Sequence, residues 1–123
     1  MDVTPLIPLG RQMVESYGNG RFRVSGTVWE GSILVLPDET FAWPVGAFAD
    51  LTEESLRPVL AAQTEVLLLG CGRRAEFPSK AFRQSLRAAG VVVEPMDTGA
   101  AARTFNVLMT EGRRAAAALI AVE

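Results

Sequence analysis

The chain contains no histidine, a single cysteine and a single lysine among its 123 residues. Histidine is the commonest general base at neutral pH, so its absence excludes the usual Ser-His and Cys-His catalytic arrangements. The single cysteine, Cys71, excludes an internal disulfide and a cysteine-built zinc site. Such cysteine usage is typical of a reducing compartment. We therefore expect a cytoplasmic protein with no metal ion and no cofactor.

Long apolar runs are also missing. Uncharged aliphatic runs such as Val66–Leu69 are far shorter than the roughly 20 residues that a membrane-spanning helix needs. The amino-terminal segment does not have the pattern of a signal peptide. The net charge of −2 argues against a dedicated nucleic-acid-binding protein, because phosphate neutralisation requires a strongly basic domain. These absences predict a soluble protein that neither spans a membrane nor binds nucleic acid.

The remaining composition is that of an ordinary globular protein, with 49% hydrophobic and 21% charged residues. A chain of this length can bury about two thirds of the surface that its unfolded form exposes. We therefore expect one domain over residues 1–123. From Val66 onward the chain has eight basic residues against five acidic ones, so the carboxyl-terminal half is mildly basic.

The amino-terminal third has the spacing of short antiparallel strands. A proline-marked extended segment covers Pro5–Gly10, and the Gly18–Gly20 cluster predicts a turn, because glycine and asparagine accept positive φ. Phe22, Val24 and Val28 alternate with polar or small residues, as in a half-buried strand. Two further runs have strand composition: Ser32–Leu36 and Thr40–Val45.

Alternating helices and strands follow this β unit. The order strand, helix, strand, helix indicates parallel strands with right-handed crossovers. Pro58 predicts a bend or a late start in the first helix. Ala115–Val122 has helix propensity, and a buried strand of small residues is the alternative. The other predicted elements are a helix from Thr52 to about Ala62, a strand over Val66–Leu69, a helix from Pro78 to Gly90 and a strand over Val91–Val93.

A basic cluster accompanies the second predicted helix. It can bind an anionic partner, but a solvated loop and helix face is the better interpretation. Glu76 is the only acidic residue within the span of the cluster. Its members are Arg73, Arg74, Lys80, Arg83 and Arg87.

A second candidate is the segment Gly70-Cys71-Gly72-Arg73-Arg74-Ala75, which matches the dinucleotide-binding pattern directly after a strand. Pro78 places the next helix too far from the glycines for its positive end to meet a pyrophosphate. A tight turn that needs glycine explains Gly70 and Gly72 better. Cys71 lacks a base that would activate it, so a small buried residue is the better interpretation.

The third candidate is Met96–Leu108, where polar residues follow a strand and enter a predicted helix. Sites collect at such strand ends in α/β proteins. One interpretation is structural, with Asp97 or Thr98 capping the helix and Arg103 in a buried ion pair. The other is a site for an anion or a partner. Residues that share this segment are Asp97, Thr98, Arg103, Thr104 and Asn106.

Several of these segments together resemble a known family. The matching stretches are Leu67–Gly72, Phe77-Pro78, Gly90 with Val93-Glu94, Met96–Thr98 and Arg103–Leu108. The chain is similar, from Pro5 to its end, to the small domain shared by a methanogen protein of unknown activity, the mitochondrial assembly factor for respiratory complex I and the adipogenesis-associated domain protein. Many members carry a cysteine where this chain has Ala102, and this difference weakens a thiol-based mechanism.

The resemblance implies a three-layer α/β domain, in which an antiparallel β unit joins a mixed central sheet with helices. It also implies that Ala115–Val122 is an antiparallel strand inserted among the parallel ones. The implied function is a non-catalytic protein-interaction module that assists assembly of a respiratory or other membrane protein complex in a bacterium. The competing hypothesis is a small-ligand-binding protein or enzyme.

Under the first hypothesis the partner is a protein, and an oligomer is compatible with the sequence. Under the second, the ligand pocket lies between the Gly70–Gly72 loop and the Asp97–Asn106 segment. The candidate pocket or interface residues are Gly70, Cys71, Gly72, Asp97, Thr98, Arg103, Thr104 and Asn106.

Overall fold

The computed structural model describes residues 10–123, so the predicted extended segment before Gly10 lies outside the described residues. The described chain begins with a three-stranded antiparallel sheet, which confirms the predicted β unit. Gly18, Asn19 and Gly20 all have positive φ in the first turn, as expected. The strands are β1 (Val14–Gly18), β2 (Arg21–Val24) and β3 (Thr27–Glu30).

One expectation for this sheet is wrong. Phe22 and Val24 are buried, but Val28 is 56% exposed. The strand register explains the difference, because Val28 lies opposite Arg23 while Trp29 lies opposite Phe22. Residues directly opposite each other share a face, so Val28 lies on the outer face with the arginine.

A five-stranded mixed sheet forms the centre of the molecule, in the order β5-β4-β8-β6-β7. Strand β4 pairs antiparallel with both of its neighbours, whereas β8, β6 and β7 are mutually parallel. The predicted mixed α/β architecture is therefore confirmed. The strands are β4 (Ile33–Val35), β5 (Thr40–Ala42), β6 (Val66–Gly70), β7 (Val92–Met96) and β8 (Ala115–Leu119).

The last strand is indeed β8, inserted between β4 and β6, but its expected orientation is only half right. It is antiparallel to β4 and parallel to β6. The reason is the crossover that precedes it. Helix α3 (Thr98–Thr110) is long enough, at about 1.5 Å per residue, to return the chain to the starting edge of the sheet, so β8 begins beside the start of β6.

The two shorter helices begin after Thr52 and Pro78, the residues at which their predicted spans start. Helix α1 (Arg57–Ala61) follows a 3₁₀ turn at Glu54–Leu56 and has Pro58 in its first turn, which is the late start that this proline predicts. Helix α2 (Lys80–Ala88) starts after Ser79 rather than at Pro78. The Ser79 hydroxyl accepts the Phe82 N–H at 3.1 Å, so the serine provides the cap.

The side chains of the sheet divide the core into two clusters. On one face Leu67 and Leu69 pack with residues of α1 and α2, and on the other Leu68 packs with Phe105 and Met109 of α3. Phe22 and Val24 of the hairpin sheet belong to the second cluster. The molecule is therefore three-layered, as predicted. Among residues 10–123, no helix combines the length and apolarity that crossing a membrane requires.

Candidate functional site

The start of α3 meets the carboxyl ends of the parallel strands. Asp97 caps the helix, because its carboxylate accepts the backbone N–H of Ala100 at 2.9 Å. Helix capping, the structural role predicted for Asp97, therefore explains its position. The carboxylate also lies where a negative charge stabilises the positive end of the helix dipole.

Thr98 is fully buried and bonds three segments together. Its hydroxyl accepts the Gly72 N–H at 2.9 Å and donates to the Ile120 carbonyl at 2.8 Å. The Thr98 N–H donates to the Gly72 carbonyl at 2.8 Å. We call these three residues the Thr98 junction. It connects the loop after β6, the start of α3 and the end of β8.

The two glycines of the dinucleotide-like pattern have structural reasons. A Cβ atom on Gly70 would lie 3.0 Å from both the Thr98 Cα and the Leu119 Cδ2. Gly72 has a φ of +97°, a backbone conformation that residues with a side chain rarely adopt. Because α2 begins only at Lys80, its amino terminus does not follow these glycines directly. The geometry favours a tight turn over a pyrophosphate loop.

Cys71 lies in an environment that disfavours a thiolate. The residue is 6% exposed, and its Sγ lies 3.3 Å from the Glu76 carbonyl oxygen. Burial raises the pKa of the Cys71 thiol above its usual value. A raised pKa keeps the thiol protonated and poorly nucleophilic at neutral pH. Ala102 is also buried.

Asn106 bonds α3 to the edge of the hairpin sheet. Its Oδ1 accepts the Val14 N–H at 2.9 Å and its Nδ2 donates to the Val14 carbonyl at 2.8 Å. The side-chain amide thus pairs with β1 in the manner of a neighbouring strand. Both polar atoms of Asn106 are therefore used in holding two layers together.

Arg103 does not form the buried ion pair that was one of its two predicted roles. The side chain is exposed, and the four ion pairs between described residues do not include it. The helical neighbours explain this, since the positions three and four residues away along α3 hold Gly99, Ala100, Asn106 and Val107, with no carboxylate. Its guanidinium is directed at the surface.

Tyr17, which sequence reasoning missed, approaches the same surface from β1. A Cβ on Gly99 would overlap the Tyr17 hydroxyl oxygen and would lie 3.2 Å from Arg103 Nη1. The two polar ends therefore meet over the first turn of α3. Only the glycine at position 99 signals such a close approach in the sequence.

We define the α3 outer face as the surface formed by one β1 residue and four α3 residues. Tyr17 is 45% and Val107 is 55% exposed on it. Thr104 is half-buried beside them. Of the predicted site residues, Arg103 and Thr104 belong to this face. Gly70, Cys71 and Thr98 are buried, and Gly72 and Asp97 are partly buried. The members of the face are Tyr17, Ala100, Arg103, Thr104 and Val107.

The fold is that of a small mixed α/β domain, and the Thr98 junction lies where its parallel strands end. A family model described as a protein of unknown function (DUF498/DUF598) matches residues 14–120. The chain belongs to this family, which confirms the resemblance identified from its motifs. A Bordetella pertussis structure described as an Mth938-like domain superposes with a TM-score of 0.83 at 32% identity, covering 98% of this chain and 92% of that one.

Two relatives extend the comparison. An uncharacterised protein of Rhodobacter capsulatus is 40% identical over 111 residues, which are 90% of this chain and 86% of that protein. The NADH dehydrogenase (ubiquinone) 1 alpha subcomplex assembly factor 3 of Danio rerio is 40% identical over 110 residues. The match covers 88% of this chain but only 63% of the zebrafish protein, so the chain spans less than two thirds of that relative.

Proposed function

We propose that this protein is a non-catalytic interaction module that assists assembly of a respiratory or other membrane protein complex. In this proposal the α3 outer face contacts a protein partner in the cytoplasm. The observation that carries the proposal is the joint exposure of Tyr17, Arg103 and Val107 on one helix-centred surface. Tyrosine and arginine are enriched among the residues that contribute most to protein interfaces.

The rigidity of the surface supports an interface. Helix α3 is capped by Asp97, bonded at Thr98 and paired with β1 through Asn106. A face that is already ordered loses little conformational entropy on binding, so more of the contact energy contributes to affinity. The polar residues beneath the face thus support it rather than bind the partner.

The polar chemistry of the site supports a non-catalytic role. The hydroxyl of Thr98 and the amide of Asn106 are occupied by internal hydrogen bonds, and Cys71 is held as a thiol. General acid–base catalysis requires a group that can exchange a proton near neutral pH, and histidine does not occur in the chain. A binding role needs none of these groups.

The named relatives support the assembly part of the proposal. The zebrafish relative is named as an assembly factor of NADH dehydrogenase, and the matched region includes most of this chain. Because that relative is considerably longer, we do not propose the same partner for this chain. We propose only that the shared domain supplies the protein-binding surface.

Reversing the charge of Arg103 is expected to abolish partner recovery without unfolding the protein. The full-length chain carrying Arg103→Glu would be crosslinked in cells of its own organism, captured and analysed by mass spectrometry. The side chain is exposed, so the free energy of unfolding should change by less than about 0.5 kcal/mol. We expect recovery of membrane-complex subunits with the wild type and their loss with the variant.

Arg113→Glu is the matched control, because Arg113 is also an exposed arginine but lies beyond the end of α3. It should preserve recovery of the same subunits. Equal recovery with both variants, or a wild type that captures no membrane-complex subunit, would overturn the proposal. A thermal shift of several degrees with one metabolite would instead support the small-ligand hypothesis.

A further inference from the structure

Strand β7 has an open edge. It lies at the end of the five-stranded sheet, and within residues 10–123 it pairs only with β6. The Val92 N–H donates to Glu65 and the Met96 carbonyl accepts from Cys71 on the β6 side. Successive residues of a strand point their backbone groups to alternate sides, so Val93 and Pro95 direct theirs away from the sheet.

The groups along this open edge are few and specific. The Val91 N–H is already used, because it donates to the Leu86 carbonyl at 2.9 Å. Pro95 has no N–H, and its ring is tolerated here because this position needs no donor toward β6. The edge therefore offers the Val93 N–H together with carbonyls of Val91, Val93 and Pro95. An extended peptide can pair with such a row.

A row of cations borders the same edge. Lys80, Arg83 and Arg87 are spaced three and four residues apart on one side of α2, and together with Gln84 they line a groove against β7. The groove has a volume of about 420 Å³. Its one acidic lining residue is Glu94, against three cations. The ion pairs between described residues include none of these three cations.

The lengths of the two walls match. The helix rises about 1.5 Å per residue, so residues 80 to 87 extend over about 10 Å. A strand advances about 3.3 Å per residue, so three or four residues of an added strand cover the same distance. Every second side chain of that strand would face the cations of α2.

We propose that the edge of β7 binds an extended acidic segment of a partner protein, which adds a strand to the sheet and directs its carboxylates toward Arg83, Arg87 and Lys80. The backbone groups of the edge hold the segment, and the cations of α2 select its charge. This surface is separate from the α3 outer face, so the inference goes beyond the proposed function and does not depend on Arg103.

Charge disfavours the two other occupants. A second copy that paired β7 with β7 would bring two α2 helices with like charges together, which is destabilising. A nucleic acid would meet the cations but could not use the row of backbone groups, and the chain has a net charge of −2. An acidic polypeptide satisfies both the edge and the cations.

The test uses the full chain and a fluorescent heptapeptide of alternating glutamate and valine. Its counterpart with lysine in place of glutamate controls for charge, and the same acidic peptide with all its backbone nitrogens methylated controls for strand pairing. We expect saturable binding of the acidic peptide and no saturable binding of either control peptide. Binding should weaken at least about tenfold with Arg83→Glu and Arg87→Glu combined, because the charge complementarity is reversed.

The matched control is Arg73→Glu with Arg74→Glu, which changes the net charge equally in the exposed loop before α2. It should alter binding by less than about twofold, since exposed charges beyond the groove are screened. Arg103→Glu should likewise leave peptide binding unchanged. The NMR signal of the Val93 amide should shift on titration.

Four binding results would overturn the proposal. They are equal binding of the lysine peptide, equal binding of the N-methylated peptide, no loss with the Arg83 and Arg87 variant, and tighter binding of a single-stranded oligonucleotide through the same arginines. A dimer that the acidic peptide does not displace would also overturn it, because the edge would then belong to a second copy. Loss of partner capture with Arg103→Glu is independent of each of these results.

Discussion

Replacing Thr98 with valine is expected to lower the free energy of unfolding by about 2–4 kcal/mol. Valine has nearly the same shape as threonine, so the packing of this fully buried residue is retained. The hydroxyl is lost, and with it a donor to the Ile120 carbonyl and an acceptor for the Gly72 N–H. Buried backbone groups without partners carry their whole desolvation cost. The urea unfolding midpoint at neutral pH measures the loss.

The control for this prediction is Thr98→Ser, which keeps the hydroxyl and removes one methyl group. It should cost only about 1 kcal/mol, the usual effect of deleting one buried methyl group. The dependence of the unfolding free energy on urea should remain that of the wild type in both variants, because the surface exposed on unfolding is unchanged. If the Thr98→Val variant proved as stable as the wild type, the hydroxyl of Thr98 would not hold the three segments of the junction together.

Asn106→Ala is expected to destabilise the protein by about 1–3 kcal/mol and to loosen β1 from α3. The substitution leaves the N–H and the carbonyl of Val14 without the partners that they have at 2.9 and 2.8 Å. Unlike Thr98, this site lies at a sheet edge, where water can partly replace the amide. Urea unfolding gives the total effect, and hydrogen exchange at the Val14 amide gives the local one.

Val107→Ala is the matched control, because Val107 occupies the next position of the same helix and is 55% exposed. It should change stability by less than about 0.5 kcal/mol. Unaltered exchange at Val14 in the Asn106 variant would show that the side-chain amide does not hold β1. Partner capture would then have to be reinterpreted, since Tyr17 reaches the α3 outer face from this strand.

Local signals predicted the elements whose cause is local. The Gly18–Gly20 turn, the aliphatic strand β6 and the capping of α3 by Asp97 all depend on residues within a few positions. Strand β8 is different, since alanine favours a helix when a segment is isolated. Ala115–Leu119 is fully buried between β4 and β6 with layers on both faces, and this tertiary environment outweighs propensity.

The roles within the candidate site could be predicted only in part. Asp97 was recognisable as a helix cap, but Thr98 bonds to Ile120 and Asn106 bonds to Val14, far away in the chain. Tyr17 reaches Gly99 from the opposite end of the sequence. No spacing rule relates such distant residues. The polar cluster was therefore visible as a group, while its division into buried supports and an exposed face required the fold.

The most direct test of the central claim is hydrogen exchange of the full chain, free and in complex with the captured partner subunit. The claim is that the buried polar residues hold α3 and that its outer face contacts a protein. Exchange should slow on binding across α3 and β1, the two elements that form this face. Exchange in these two elements that is the same in the free and bound protein would contradict the account.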